Sequence, residues 1–192
     1  MAKFGIVVPF VEEHNELVLD AVLSIMEAID NCQDIIEVIP MADKNRIGVP
    51  KMLNKALKDF KHDYFGYFGA DDTMLPNAFK NLENFNGDWC YGDCIQVEDG
   101  NKYPYYAGEF NYQRLKEENF IPAGSVFVKT EILKEIRFNE KLTFAEDWEL
   151  WLQIGKRYKP YYINQFQYNY SMDTSVFNKS FIKRFLNKRK FR

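Results

Sequence analysis

The stretch Phe68 to Pro76 (Phe-Gly-Ala-Asp-Asp-Thr-Met-Leu-Pro) decides the fold of this chain. It follows a continuous apolar run, residues 64–68, which is typical of a strand buried on both faces of a parallel sheet. Asp71 and Asp72 then fall at the carboxyl edge of that sheet, where open α/β sheets bind ligands. Adjacent carboxylates repel each other, and a bound cation would remove that cost. The stretch therefore predicts a metal-assisted ligand site.

Strand-like runs and helical stripes alternate through the first half of the chain. Strands are predicted at Lys3 to Pro9, at Ile35 to Ile39 with Pro40 as the stop, and at Tyr64 to Phe68. Helices are predicted over 17–29, from Val49-Pro50 to residue 60, and from Pro76 with Ala78, Phe79, Leu82 and Phe85 inside. This alternation predicts the α/β class, with a mostly parallel central sheet flanked by helices.

After residue 88 the pattern changes to that of a small antiparallel patch. Trp89 to Val97 and Lys102 to Tyr106 predict a hairpin, and residues 126–128 predict a further strand. Two more helices are predicted, one over 131–136 with Thr130 as its cap and one over 146–158.

Composition is that of a globular protein. The 192 residues are 46% hydrophobic and 28% charged, and no apolar run approaches the roughly 20 residues of a membrane span. We expect one domain in the cytoplasm. Three cysteines indicate no disulfide framework, and Cys90 and Cys94 are expected to be buried thiols.

The last residues, 177–192, form a basic tail. Seven of the 25 Lys and Arg residues, and none of the 28 acids, lie in the final fourteen positions. Phe177, Phe181, Ile182, Phe185 and Leu186 give the tail an apolar stripe at helical spacing. We expect it to dock onto its own domain or to contact an anionic membrane surface peripherally, at the inner face, with nucleic acid the less favoured partner.

A second acidic dipeptide, Glu146-Asp147, begins a predicted helix that continues Trp-Glu-Leu-Trp. Together with the stretch at 69–76, the Gly124-Ser125 loop and Phe138 to Leu142 (Phe-Asn-Glu-Lys-Leu), it resembles family 2 glycosyltransferases of the GT-A fold. The resemblance runs from about residue 4 to about residue 170. It implies a single glycosyltransferase domain, 1–176, with a nucleotide-binding half at about 1–88 and an acceptor half at 89–176.

The resemblance implies a metal-dependent, inverting sugar transfer from a nucleotide-diphosphate donor to a glycan or glycoconjugate. Asp72 would contact Mg²⁺ or Mn²⁺, and Asp71 would touch metal or ribose. Asp147 would be the general base, with Glu146 able to share the role. We expect the helix N-terminus to lower the pKa of Asp147.

The resemblance places the donor nucleotide, with a UDP-sugar favoured, against the loop after the first strand. Its contacts would be Pro9, Phe10, Val11 and Glu13, the acid Asp43 after the second strand, and Lys51, with Arg46 also within reach of the diphosphate. Two features depart from the family. Gly69 stands where many relatives have another Asp, and residues 168–171 (Tyr-Asn-Tyr-Ser) lack the His or Arg found in many relatives.

Other interpretations stay open. Asp71 and Asp72 would only cap the Pro76 helix, or Asp147 would serve only its helix dipole. Trp148 and Trp151 would line a sugar site or belong to the core. The whole chain would be a non-catalytic sugar-nucleotide or glycan-binding module, or a glycosyltransferase that acts on modified DNA bases. The small acceptor half is compatible with a homodimer or with a partner protein.

Overall fold

The computed structural model describes residues 2–29, 36–82 and 85–173. Its first half contains β1 (Phe4–Phe10), α1 (Asn15–Ile29), β2 (Ile36–Ala42), α2 (Val49–Asp59), β3 (Tyr64–Tyr67) and β4 (Thr73–Met74). Its second half contains β5 (Trp89–Glu98), β6 (Asn101–Tyr105), α3 (Tyr112–Glu117), β7 (Phe127–Lys129), α4 (Thr130–Glu135), α5 (Glu146–Gly155) and β8 (Tyr161–Ser171). Short 3₁₀ turns lie at Glu12–His14 and Ala123–Ser125.

In the described residues, eight strands form one sheet with the order β2-β1-β3-β7-β5-β8-β4, and β6 pairs with β5. β1 is parallel to β2 and to β3, and β5 is parallel to β8, so the longest pairings are parallel. Antiparallel pairings join β7 to β3 and β5, β4 to β8, and β6 to β5. The predicted α/β class, with an antiparallel patch in the second half, is confirmed.

The sheet separates two hydrophobic cores. Ile6 and Val8 of β1 pack in the core that contains α1, whereas Val7 packs in the core that contains α2 and α5. Neighbouring residues of a strand point to opposite faces, so this alternation is the mark of a strand buried on both sides. Trp151 lies in the second core, stacked on Trp89 with ring centroids 5.8 Å apart. Trp151 is therefore a core residue and not part of a sugar site.

The second strand differs from its prediction. β2 continues through Pro40 to Ala42, with Pro40 opposite Val8 of β1. The prediction that Pro40 ends the strand is wrong because β2 is an edge strand, where a residue without an N–H is tolerated. Residue 35 lies outside the described residues.

The helix predicted from Pro76 is also absent, and residues 76–82 form consecutive turns. Three hydrogen bonds between residues three apart close these turns, including Ala78 N–H to the Leu75 carbonyl oxygen at 3.0 Å. Gln165 of β8 donates from its side-chain amide to the Asn77 carbonyl oxygen at 2.7 Å, so this carbonyl has a partner from outside the segment. Because there is no helix here, Asp71 and Asp72 are not its cap.

Smaller corrections concern the second half. Thr130 is not a cap but the first residue of α4, and its hydroxyl donates to the His62 carbonyl oxygen at 2.7 Å. α5 ends at Gly155, three residues before the predicted end. Cys90 and Cys94 are buried free thiols, as predicted. Cys32 and the tail at 177–192 lie outside the described residues, and none of the described helices has the length and apolarity needed to cross a membrane.

Candidate active site

Asp72 lies in the turn between β3 and β4 and is only 6% exposed. Its backbone N–H donates to the Gly69 carbonyl oxygen at 3.3 Å, which closes the turn. Its side-chain Oδ1 accepts a hydrogen bond from the Ser171 N–H at 2.9 Å. The pairing of β4 with β8 brings Ser171 to this carboxylate. Asp72 is thus held at the carboxyl end of β3, the edge that the sequence predicts.

The surroundings of Asp72 disfavour its negative charge. Burial, and after it the neighbouring charge of Asp71, raises the pKa of Asp72 to about 8, although the Ser171 hydrogen bond acts in the opposite direction. A carboxylate with so high a pKa gains strongly from an added positive charge. The electrostatics of this turn therefore favour the binding of a cation.

Gly69 packs directly against both carboxylates. A Cβ atom at this position would lie 2.7 Å from Asp72 Oδ2 and 3.0 Å from Asp71 Oδ1. A side chain here would displace the two carboxylates, because real Cβ atoms essentially never approach another heavy atom within 3.0 Å. The glycine that departs from the family pattern is therefore part of how Asp71 and Asp72 are arranged.

The donor set fits a hard divalent cation that binds through few protein ligands. The two carboxylates offer oxygen atoms, which Mg²⁺ and Mn²⁺ prefer. Among the residues that the structure describes, no group of three or more His, Cys, Asp and Glu side chains could hold a metal. A cation at Asp71 and Asp72 would take its other oxygens from phosphate and water, which is the usual mode for Mg²⁺.

Asp147 lies in the first turn of α5, whose N-cap Ala145 has a left-handed backbone with φ 55°. Asn119, just after α3, donates from its side-chain amide to Asp147 Oδ2 at 2.8 Å. The adjacent Trp148 donates from its indole N–H to the Leu115 carbonyl oxygen at 2.6 Å. These two bonds join α3 to the start of α5. Trp148 is therefore a partly buried structural residue and is not exposed for stacking against a sugar.

The predicted direction of the Asp147 pKa is wrong. Burial is the largest influence and raises the pKa of Asp147 above its usual value, while hydrogen bonds from its own N–H, the Trp148 N–H and Asn119 lower it. The helix N-terminus acts as predicted, but burial outweighs it. Burial also raises the pKa of Glu146, with a smaller contribution from the charge of Asp147.

A buried tyrosine lies near each of the two acidic dipeptides. Burial raises the pKa of Tyr67, at the end of β3, well above its usual value, and the charges of Asp147 and Glu146 and the nearby Tyr170 raise it further. Burial and then the charge of Asp72 do the same to Tyr168 of β8, whose ring packs edge-on to Phe68 at 5.4 Å. Tyr67, four residues before Asp71, therefore lies near Glu146 and Asp147, and Tyr168 lies near Asp72.

The predicted loop at Gly124 and Ser125 has a structural role near Asp72. Ser125 is 1% exposed; its hydroxyl accepts from the Gly92 N–H and has the Pro122 carbonyl oxygen at 2.7 Å and the Gly92 carbonyl oxygen at 3.0 Å as acceptors for its one proton. Gly124 packs against the rings of Tyr168 and Phe68, with a Cβ position 2.9 Å from Tyr168 Cζ. This loop thus positions Tyr168.

The residues predicted to bind the nucleotide lie on two neighbouring loops. Pro9 and Phe10 end β1, Val11 precedes the 3₁₀ turn, and Glu13 in that turn forms an ion pair with Arg46 of the next loop. The Asp43 N–H donates to the Phe10 carbonyl oxygen at 2.7 Å. The two loops thus sit side by side at the carboxyl ends of β1 and β2.

Asp43 and Lys51 have different surroundings. Asp43 is 9% exposed, and its two carboxylate oxygens accept hydrogen bonds from the N–H groups of Ile47 at 2.9 Å and Gly48 at 2.8 Å. It therefore orders the loop that leads into α2, and its contact with a base stays a prediction. Lys51 is exposed in the first turn of α2.

Sequence reasoning missed Asn119, Tyr67 and the Ser171 N–H. Asn119 lies 28 residues from Asp147, and the Ser171 N–H lies 99 residues from Asp72. No local spacing reports such contacts. For Tyr67 alone the sequence offered a signal, because its position at the end of the strand before Asp71 places it near the predicted metal site.

The chain was compared with known proteins by sequence and by fold. No protein-family model matches the chain. An uncharacterized glycosyltransferase of Methanocaldococcus jannaschii is 28% identical over 149 residues, covering 69% of this chain and 50% of the relative. The chain thus spans about half the length of that relative.

Solved structures of S. aureus TarS, residues 1–349, share the fold. The superposition has a TM-score of 0.65, with 16% identity, and covers 88% of this chain and 60% of the TarS chain. The TarS complex with UDP-GlcNAc gives a TM-score of 0.66 over 90% of this chain and 59% of that one. TarS has also been solved with UDP. The predicted GT-A fold is confirmed by this likeness.

Proposed function

We propose that this chain, with the fold of TarS and a sequence similar to an archaeal glycosyltransferase, is a metal-dependent, inverting glycosyltransferase. Its donor would be a nucleotide-diphosphate sugar, and its acceptor a hydroxyl group of a glycan or glycoconjugate. The observation that carries the proposal is that Tyr67, at the end of the strand that leads into Asp71 and Asp72, lies near Glu146 and Asp147 from the other half of the chain.

The two acidic dipeptides suit two different tasks. Asp72, with Asp71, would hold Mg²⁺ or Mn²⁺, because a buried carboxylate with a pKa of about 8 gains most from a cation. The bound metal would neutralise charge on the diphosphate as it departs. Asp147 is partly exposed and its pKa is raised, so it is a stronger base than an ordinary aspartate and stays reachable.

The proposed transfer is a single displacement. The acceptor hydroxyl passes its proton to Asp147 while its oxygen bonds to the anomeric carbon of the sugar. The bond from that carbon to the diphosphate oxygen breaks on the opposite face, and the electron pair leaves with the diphosphate. Attack and departure on opposite faces invert the anomeric configuration. Glu146, whose pKa is also raised, is the reserve candidate for the base.

The donor nucleotide would lie against Pro9, Phe10, Val11 and Glu13, with the Asp43 loop beside them. The TarS complexes with UDP and UDP-GlcNAc support a uridine nucleotide as the first donor to test. Lys51 is exposed at the start of α2, where it would reach the diphosphate.

Incubation with Mn²⁺ and a panel of UDP-, GDP- and TDP-sugars tests the proposal. We expect saturable binding of one donor class and slow release of the nucleoside diphosphate. A chelator should weaken the binding strongly and abolish the release. No binding and no donor hydrolysis across the panel would contradict it.

A second candidate is a non-catalytic sugar-nucleotide or glycan-binding module of the same fold. The presence of Gly69 instead of a further Asp favours this candidate, because only two carboxylates, Asp71 and Asp72, are then left for a metal. Calorimetry separates the two functions. A binding module would bind the donor equally with and without Mn²⁺ and would show no turnover.

The proposals that concern the tail at 177–192 have separate tests, because that segment lies outside the described residues. Flotation with anionic vesicles tests peripheral membrane contact. A gel shift with duplex DNA at increasing salt tests the DNA binding that transfer to modified bases would require, since phosphate contacts weaken steeply as salt rises. The homodimer proposal does not depend on the tail, and sedimentation of the full chain tests it.

A further inference from the structure

We propose that Asn119 is a positioning residue for Asp147, holding the carboxylate in one orientation and in its ionised form toward the acceptor hydroxyl. This inference rests on the proposed function, since it assigns Asp147 the role of base. The observation behind it is the hydrogen bond from Asn119 Nδ2 to Asp147 Oδ2 at 2.8 Å.

Asn119 is exposed, but the chain on each side of it is anchored. The preceding Glu118 donates its N–H to the Arg114 carbonyl oxygen at 2.9 Å, and its side chain pairs with the Arg114 guanidinium at 2.6 Å. The following Phe120 is fully buried and lies under the same guanidinium, 4.2 Å from it. The amide of Asn119 is therefore presented from a fixed backbone.

The acceptor side of the bond is equally fixed. Trp148, next to Asp147, is tied to the Leu115 carbonyl oxygen at 2.6 Å, and Tyr112 donates its hydroxyl to the Leu152 carbonyl oxygen at 3.3 Å. α3 and the first turns of α5 thus form one unit. Within it the Asn119 amide limits rotation of the Asp147 carboxyl group about its Cβ–Cγ bond.

The chemistry of an amide suits this role. Asn119 donates a hydrogen bond to the carboxylate but neither gives up nor takes a proton at neutral pH, so it favours the ionised base without competing for the acceptor proton. It counters the groups that raise the Asp147 pKa, of which burial is the largest. Among the described residues, Glu146 on the same helix and Tyr67 from β3 are titratable groups near this carboxylate, since its charge adds to the effect of burial in raising the pKa of each.

Asn119→Ala tests the inference, with Asn111→Ala as the matched control. Asn111 is an exposed asparagine at the other end of α3 whose side-chain oxygen accepts from the Arg114 N–H at 3.0 Å, so its loss perturbs the helix without touching Asp147. We expect N119A to lower the acid dissociation constant of Asp147 about tenfold, as loss of one hydrogen bond to a charged group implies.

Two readouts follow this change. The Asp147 carboxyl carbon, assigned by its absence in D147N, reports the pKa by NMR titration without any need for activity. In the enzyme assay, N119A should move the acid limb of the kcat profile to higher pH and lower kcat about tenfold on that limb, with donor KM within about twofold.

The outcomes separate the two proposals. An Asp147 pKa that is unchanged in N119A, or a shift that N111A reproduces, would overturn the role of Asn119. A wild-type chain that transfers no sugar would overturn the proposed function, and the NMR titration would then still decide whether Asn119 sets the ionisation of Asp147.

Discussion

The two acidic dipeptides of this chain, Asp71-Asp72 and Glu146-Asp147, look alike in sequence but lie in different surroundings. Asp72 is almost fully buried beside a second carboxylate, with the Ser171 N–H on Oδ1, and its pKa rises to about 8. Asp147 is partly exposed at a helix start and accepts three hydrogen bonds that oppose the effect of burial. The first arrangement favours a bound cation, and the second suits the base that we propose.

The largest expected effect comes from the dipeptide on α5. Asp147→Asn should lower kcat by about 1,000-fold, since it removes the proton acceptor, while the donor Kd stays within about twofold. Single-turnover transfer and calorimetry measure the two quantities. Glu131→Gln, an exposed acid in the first turn of α4, is the matched control and should leave both unchanged. An active D147N enzyme would contradict the assignment of the base.

The corresponding change at Asp72 should alter donor binding and not the chemical step. Asp72→Asn is expected to weaken donor binding in Mn²⁺ by about 100-fold, because it removes a charged metal ligand, and to leave metal-free binding unchanged. Asp71→Asn should cost less, about tenfold. If D72N keeps the Mn²⁺ dependence of the wild type, the metal does not bind at this dipeptide.

The pH dependence of stability sharpens the contrast without any substrate. The folded pKa of Asp72, about 8, lies above its unfolded value of 3.8, so its stabilising effect is complete below about pH 4 and is lost as pH rises toward 8. In a chelator, the unfolding free energy of D72N minus that of the wild type should grow by about 5 kcal/mol between pH 4 and pH 8, because each pH unit between the two pKa values contributes about 1.4 kcal/mol. Denaturant titrations measure it, and a constant difference would contradict the burial of a charge.

A smaller effect is expected at Gly69. Gly69→Ala places a methyl group against Asp72 Oδ2 and should weaken Mn²⁺-dependent donor binding roughly threefold to tenfold, through displaced ligands. Gly155→Ala is the control for crowding, because its Cβ would meet the Phe110 ring at 2.7 Å, on a different part of the molecule. Equal losses of donor affinity in both variants would show that the effect of Gly69→Ala is general destabilisation.

Much of the fold follows from the sequence because its signals are local. The apolar run at 64–68 and the helical stripe over 49–60 predicted β3 and α2, which the structure contains. Pro40 and Pro76 were misread for a non-local reason. Periodicity does not tell that β2 is an edge strand, nor that Gln165 donates to a carbonyl oxygen of the Pro76 segment.

The candidate site also has features that the sequence predicts locally and features that depend on the whole fold. The strand end at Asp71 and Asp72, the helix start at Glu146 and Asp147 and the family resemblance made these residues candidates. Their raised pKa values were not predicted, because burial depends on the whole fold. Asn119 was missed because its hydrogen bond to Asp147 crosses 28 residues with no sequence spacing to announce it.

A crystal structure grown with UDP and Mn²⁺, with anomalous scattering used to locate the metal, tests the central claim most directly. We predict one Mn²⁺ on the Asp72 carboxylate that also contacts the diphosphate, with the open face of the site toward Asp147. A metal peak on other side chains, or UDP bound away from the carboxyl ends of β1 and β3, would contradict the account.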